Sequence, residues 1–433
     1  MHGLKHASLG AVLFGVVALG TVWGGPQSQL MAATLCVNPG GTAGCFAKIN
    51  DAVAAAAKND TIQVAPGVYK EDVVIGKPLS LVGTGASSTI INAKGLANAI
   101  YVDGLDHPGL ANVVITGVAA LNANFEGILV TNASHVTIAS NRVAANNQSL
   151  DVTNVTCPGI PPFETAEGFD CGEGIHLIGV HHSTVSGNVV VNNAGGILLS
   201  DDTGATHHNV ITKNEVRNNP FDCGITLASH PPASNPATGT PLGVFANTIS
   251  ENSSSNNGRA VGGAGAGVGI FDSVPGASNY GNVVINNRLF DNGLPGVAMH
   301  SHAPHQNLNN NVIVGNFISG NGQDTDDTAT PGKTGINVNN GFGGSTVSGT
   351  VISQNIIMNE DVSIAARTIG VVDINLNQLL PSGMNIGVDN LGSGPVQATE
   401  NWWGCPTGPG TTGCSTVAGP SVNFTPWLTA PFK

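Results

Sequence analysis

The sequence predicts an all-β fold in which a single chain winds into a parallel solenoid, and three observations carry that expectation. Glycine is unusually common, at 59 of 433 residues, while charged residues make up only 9%. Such a composition disfavours long surface helices built on Glu, Lys and Arg and favours short strands joined by turns. A glycine followed by apolar residues at alternate positions recurs along the chain, and an asparagine recurs behind each of those strands.

Taken in order, residues 1–33 read as an export signal. A lightly basic start carrying Lys5 runs into an apolar stretch too short for a convincing membrane span, with cleavage expected after Ala33 and an uncleaved anchor as the alternative. Residues 34–433 are expected to form one domain. Within it, residues 48–58 place Ala and Val at helical spacing and predict a short helix over the open end of the solenoid, where exposed strand edges need a cover. The strand column follows at Gly127, Gly174, Gly196, Gly224, Gly269, Gly296 and Gly335. Behind it stand Asn141, Asn188, Asn214, Asn252, Asn287, Asn316 and Asn355, with a second asparagine column about five places on. Stacked asparagines bond to one another and tolerate left-handed backbone, which suits a corner turned once per coil. Irregular spacing is absorbed by insertions near 148–172, 231–243, 258–267 and 322–334, all rich in Pro, Gly, Thr or Asp.

The stretch DAVAAAAKNDTIQVAPGVYKEDVVIGKPLSLVGTG (51–85) resembles the opening of right-handed parallel β-helix proteins of the pectin-lyase-like class, which includes the NosD-type and pectin methylesterase families. ENWWGCPTGPG (400–410) and FTPWL (424–428) resemble the closing coil of exported bacterial members. The resemblance implies a single-stranded right-handed parallel β-helix with an N-terminal helical cap, and an active site on the outer face of one sheet that acts on polyuronates as a lyase or epimerase. Most motifs of individual families are missing: there is no Asp-Pro-His-Asp, no Arg-Ile-Lys and no Asp-Phe-Ile-Phe-Gly. The copper role associated with NosD-type proteins finds no Met-rich or His-rich tract here.

Seven cysteines in a chain expected to be exported predict three bridges between sequence neighbours. These are Cys36 with Cys45, Cys157 with Cys171 and Cys405 with Cys414, leaving Cys223 as a buried small hydrophobe. The expected location is secreted, periplasmic or cell-surface. A net charge of −13 opposes nucleic-acid binding, and no stretch after the signal is long and apolar enough to span a bilayer. The expected partner is a polysaccharide.

With the glycines in register, one outward position reads Leu129, His176, Leu198, Thr226, Phe271, Ala298 and Asn337, and the next reads Thr131, Ile178, Ser200, Ala228, Ser273, His300 and Asn339. Asp202 and His230, from neighbouring coils, are expected to meet, with Asp201 beside them and Asp222 on the strand approach. An Asp beside a His is an acid/base pair, so these four are the catalytic candidates. His176, His300, His302 and Phe271 are the candidates for binding substrate along the same face. His300 and His302 lie two coils beyond His230, roughly 10 Å away, and are also candidate ligands for a metal, Ca²⁺ or a transition ion. His181, His182, His207 and His208 read as exposed turn residues. Asp272 interrupts the inward alternation and predicts a bulge. The expected function is an exported β-helix that binds a polysaccharide along its outer face and cleaves or epimerises it by acid/base chemistry, as a lyase, epimerase or glycoside hydrolase. The alternative is a non-enzymatic protein binding a glycan, a metal or a surface.

Overall fold

A computed structural model describes residues 32–154, 156–164, 171–230, 242–260, 264–325 and 329–432. The expected export signal thus falls almost wholly outside the described residues. The chain is a right-handed parallel β-helix: each coil gives one strand to each of three parallel sheets, of 14, 12 and 11 strands. One coil illustrates the rule. Ile197–Ser200 joins the 12-stranded sheet, Val210–Thr212 the 14-stranded sheet and Glu215–Arg217 the 11-stranded sheet, before Ile225–Ser229 begins the next coil. Ile197, Leu199, Ile211 and Val216 point inward and are fully buried. No coil could hide these side chains alone, and stacking makes the interior continuous. The helix Ile49–Ala55 closes the N-terminal end as expected, burying Ile49, Ala52 and Val53. Its first amides donate to Glu71, Ile49 at 2.7 Å and Asn50 at 2.9 Å.

The glycine column marks a corner too crowded for a side chain. A Cβ on Gly196 would lie 2.0 Å from the carbonyl oxygen of Gly224 in the next coil and 2.4 Å from Val216 Cγ1. In one coil the sequence register is corrected. Gly269 pairs with Thr226 and Ala298, and Phe271 pairs with Ala228 and His300, so the true member of the column is Gly267. The sequence GAGVGIF offers two glycines flanking a single apolar residue, and the second was matched in place of the first. Phe271 therefore occupies the outward position expected for Ser273. The bulge expected at Asp272 is absent, since this residue pairs in continuous register with Ser229 and Ser301.

Both asparagine columns are buried hydrogen-bonded ladders. Asn141, Asn188, Asn214, Asn252, Asn287, Asn316 and Asn355 each donate Nδ2–H to the Oδ1 of the next, at 2.9 to 3.1 Å. The ladder continues through Asn377 to Asn401. The second runs Asn146, Asn193, Asn219, Asn257, Asn292, Asn321. A third, Asn209 to Asn247 to Asn282 to Asn311, lines another corner. Each amide also ties down backbone groups that a buried turn would otherwise leave unpaired.

The second ladder ends on a carboxyl. Glu360 Oε1 accepts from the backbone N–H and the Nδ2–H of Asn321, both at 3.0 Å. Burial pushes its pKa up to about 7, against the opposing hydrogen bonds from Asn321 and the charge of Lys333. A carboxyl raised in the folded state binds more protons there than in the unfolded chain, so it contributes stability below the unfolded value that is lost as pH rises through about 7. Glu360→Gln keeps the acceptor and removes the charge. In denaturant titrations, wild type is expected to lose about 3 kcal/mol more than this variant between about pH 5 and about pH 8. Equal losses would show that Glu360 does not titrate in that window.

The three expected disulfides are formed: Cys36–Cys45, Cys157–Cys171 and Cys405–Cys414. Cys223 lies outside these three bridges and is buried, packed with Ala266, Leu294 and Ala298 and against Phe271.

Candidate functional site

The outer face of the 12-stranded sheet differs from those of the other two. Outward residues elsewhere meet water, Val210 being 37% exposed, whereas Leu129, Ile178 and Leu198 on this face are fully buried. His176, Asp202 and His230 are each 3% exposed and His300 2%. The open surface expected along this face is therefore corrected: described parts of two insertions fold back over it. Phe163 stacks on Tyr101 with ring centroids 6.4 Å apart, and Ile160 packs against Phe125, Cys157 and Cys171. From another insertion, Asp324 accepts from Asn337 Nδ2 at 3.0 Å.

Beneath that cover the coils assemble a polar network. Asp202 and His230 meet as expected, Oδ2 to Nδ1 at 3.6 Å. Ser200 Oγ donates to Asp202 Oδ2 at 2.5 Å and also lies 2.9 Å from His176 Nε2. A serine hydroxyl has one proton, so with that proton on Asp202 the oxygen accepts from His176, which assigns the proton of His176 to Nε2. The other ring nitrogen of His176 faces Glu164 Oε2 at 3.9 Å. Asp222 accepts from Thr226 Oγ1 at 3.1 Å. Its Oδ2 and Glu173 Oε1 each lie 3.1 Å from the point where a Cβ on Gly195 would stand, so the absent side chain leaves the gap between two carboxyls.

Asp201 takes a different part. Its Oδ1 accepts from the backbone N–H of His230 at 2.7 Å, and its Oδ2 accepts from Ser229 Oγ at 3.0 Å and from the backbone N–H of Gly243. Neighbouring residues on an extended turn point opposite ways, and here Asp201 holds the turn that carries His230 while Asp202 faces the network. Both oxygens of Asp201 are thus engaged by the turn, and its carboxylate does not face the network as Asp202 does.

The carboxyls of the network are driven apart in acidity. Burial alone would raise Asp202, but the hydrogen bond and charge of His230, with His176 and Ser200, outweigh it and hold this carboxylate below its ordinary range. Burial pushes Glu126 up to about 7. Glu164 is raised well above the ordinary carboxyl range by burial and then by the charges of Glu126, Asp202 and Glu173. Facing carboxyls in so dry a place hold a proton between them. Glu126, Glu164 and His176 each present a ligand atom within 4.8 Å of the others, the set among the described residues best placed to hold a cation.

The second histidine group is separate. His300 and His302 stand edge to face with ring centroids 4.5 Å apart, and Phe271 packs on both, at 4.5 and 5.6 Å. Asp324 Oδ2 lies 3.9 Å from His300 Nε2. Burial, followed by the charge of His302, holds His300 well below the ordinary histidine range. The expected run of substrate-binding residues is thus divided: His176 belongs to the acidic network, while Phe271, His300 and His302 form an aromatic cluster of their own.

Glu126, Glu164 and Glu173 were missed from sequence. Two of them carried a signal, because Glu-Gly-Ile occurs at 126–128 and again at 173–175, placing a carboxyl just before the glycine column in adjacent coils.

Residues 81–239 match a family model described as the right-handed β-helix region. No curated protein matches the chain. Solved structures similar to it include an alginate lyase from Paenibacillus sp. str. FPU-7, at 12% identity over 90% of this chain and 99% of that one, with a TM-score of 0.46. Another is the A-module of the mannuronan C-5 epimerase AlgE4 of Azotobacter vinelandii, at 14% identity over 88% and 93%, TM-score 0.46. A third is the DFA-IIIase from Arthrobacter chlorophenolicus A6 without its lid, at 16% identity over 85% and 88%, TM-score 0.42.

Proposed function

We propose that the protein is a carbohydrate-active enzyme that breaks a glycosidic bond by acid/base catalysis under the cover of the 12-stranded sheet. The observation that carries this reading is the meeting of unlike carboxyls in one dry network: Asp202, beside His230, is held below its ordinary range, while Glu164, facing His176 and Glu126, is pushed well above it. Environments that push two carboxyls apart in acidity supply a base or nucleophile and an acid together. Glu164 is the group to protonate the leaving oxygen and Asp202 the group to stabilise or attack the sugar carbon, with His230 and His176 holding Asp202 charged. In the described conformation the network is closed to water, so a saccharide enters when the segment Thr156–Glu164 lifts and meets the acid when the segment closes again and returns Glu164 to the network.

A neutral glycan fits this charge pattern better than a polyuronate. Glu126, Glu164, Glu173, Asp202 and Asp222 gather as buried acidic groups, and an anionic sugar would add to their repulsion. One observation favours a second reading. A divalent cation held by Glu126, Glu164 and His176 would reverse the local charge and admit a uronate, giving lyase or epimerase chemistry. The folding environment is also oxidising in this reading, since three disulfides staple the chain.

The test is a panel of neutral and acidic polysaccharides, assayed for new reducing ends and for the ultraviolet absorbance of unsaturated products. Reducing ends from a neutral glycan, lost in Glu164→Gln, support the proposal. Unsaturated products that need added divalent cation support the second reading, and silence across the panel overturns both. The pH profile follows from the two acidities. Asp202 stays charged below the ordinary carboxylate range, so kcat/KM is expected to hold on the acid side and to fall only well above the ordinary carboxyl range, where Glu164 loses its proton. A profile that rises through neutrality would contradict the assignment of the acid.

A further inference from the structure

Five of the thirteen histidines stand together on one corner, away from the network under the sheet cover. His181 bridges in parallel to Ser134 on one side and to His207 on the other, and Thr206–His207 pairs onward with Val244–Phe245 and Asn279–Tyr280. Equivalent residues in successive coils lie one strand spacing apart, so their rings stack. One column runs His181, His207, Phe245, Tyr280 at 5.0, 4.8 and 5.0 Å between ring centroids, with rings within 10° of parallel. A second runs His135, His182, His208 at 5.7 and 5.0 Å. These three have left-handed backbone, with φ of 53°, 53° and 56°, and are exposed.

That backbone sets each second-column ring at right angles to its first-column neighbour. His181 and His182 are inclined at 87° and bring their Nδ1 atoms to 2.9 Å. His207 and His208 repeat the arrangement at 86° and 2.8 Å. Ring faces within the columns are covered by their stacked neighbours, which leaves little face for a sugar and presents nitrogen-bearing edges. Two imidazole nitrogens bound to one ion at about 2.05 Å and 90° to each other would stand about 2.9 Å apart, whereas a tetrahedral angle would open them to about 3.3 Å.

We propose that His181 with His182, and His207 with His208, are chelating pairs for a divalent transition ion that prefers tetragonal geometry, such as Cu²⁺ or Ni²⁺. Water completes the coordination. Burial, then neighbouring imidazoles, hold His181 and His207 below the ordinary histidine value, favouring the neutral ring that ligates. The pairs lie a single coil apart, so two dications would repel and the first ion bound is the tight one. The glycan reading plays no part in this inference.

The test uses the full mature chain freed of any histidine tag, titrated with Ni²⁺ by calorimetry and with Cu²⁺ by electron paramagnetic resonance. One tight ion per chain is expected, with nitrogen hyperfine splitting in the copper spectrum. His182→Ala/His208→Ala removes one ligand from each pair and is expected to weaken Ni²⁺ binding at least about tenfold, with the circular dichroism spectrum unchanged. His135→Ala is expected to leave binding within about twofold. Equal affinity in wild type and the double variant overturns the proposal and leaves the columns as structural stacking. Should the double variant fail to fold, anomalous scattering from Ni²⁺-soaked wild-type crystals decides: a peak at the paired Nδ1 atoms supports the site and its absence overturns it.

Discussion

Asn214→Ala is expected to lower the stability of the chain by about 3–5 kcal/mol, far more than a change at most single polar residues. Asn214 Oδ1 accepts from both the backbone N–H and the Nδ2–H of Asn188, each at 3.0 Å. Its own Nδ2–H groups reach Val185 O at 2.9 Å and Asn252 Oδ1 at 3.0 Å. Alanine leaves the Asn188 amide and the Val185 carbonyl without these partners in a site that water does not enter, and each unsatisfied group costs about 1–3 kcal/mol. In a solenoid each coil is supported by its two neighbours, so the damage should appear as local opening. Hydrogen exchange is the direct check, and amides of the strands Thr184–Ser186 and Val210–Thr212 should lose protection before those near the N-terminal helix. Lys213→Ala, an exposed change next door, provides the control and should move stability by less than about 0.5 kcal/mol. Similar effects from the two changes would mean that the ladder adds little beyond shape.

How legible this was in the sequence depended on which physical rule was in force. Asn141 to Asn355 could be aligned because a buried corner repeats the same hydrogen-bonding problem in every coil and meets it with the same residue. The coil with Gly267 and Gly269 could not, because both glycines satisfy the pattern and only the steric demand of the corner chooses between them. The site was legible where one strand or turn was enough: Asp202 opposite His230 follows from register alone. It was not legible which way Asp201 points, because alternation on a turn separates two adjacent carboxyls that look alike in sequence. Glu164 was missed for a deeper reason, since the docking of a long insertion is set by tertiary packing that no periodicity reports. A clue to the cover was nonetheless present. Leu129, Ile178 and Leu198 all stand at outward positions of neighbouring coils, and so many large apolar residues facing water on one face would be unusual. The exposed-turn reading of His181, His182, His207 and His208 located them well, but the stacking that pairs them appears only when the coils are superimposed.

The catalytic reading makes its sharpest demand on Asp202. Asp202→Asn is expected to reduce kcat about 10²–10⁴-fold with KM little changed, because an amide of the same shape can still accept from Ser200 but can neither take a proton nor carry the charge that His230 and His176 support. Loss of kcat alone would not separate chemistry from collapse of the site, so the comparison lies one residue away. Asp201→Asn replaces a carboxylate that accepts from Ser229 and from the backbone of His230 and Gly243, and an amide nitrogen cannot satisfy those donors. That variant should lose about 1–3 kcal/mol of stability and only as much activity as the displaced turn removes. Asp202→Asn swaps one buried acceptor for another but leaves His230 and His176 without the charge they support, so it too should lose some stability, and its loss of turnover is read on protein kept folded well below its melting temperature. The two variants thus differ in their main defect, one chemical and the other structural. Should Asp202→Asn retain full turnover while Asp201→Asn abolishes it at unchanged stability, Asp201 would be the reacting carboxylate and the network around His176 a scaffold.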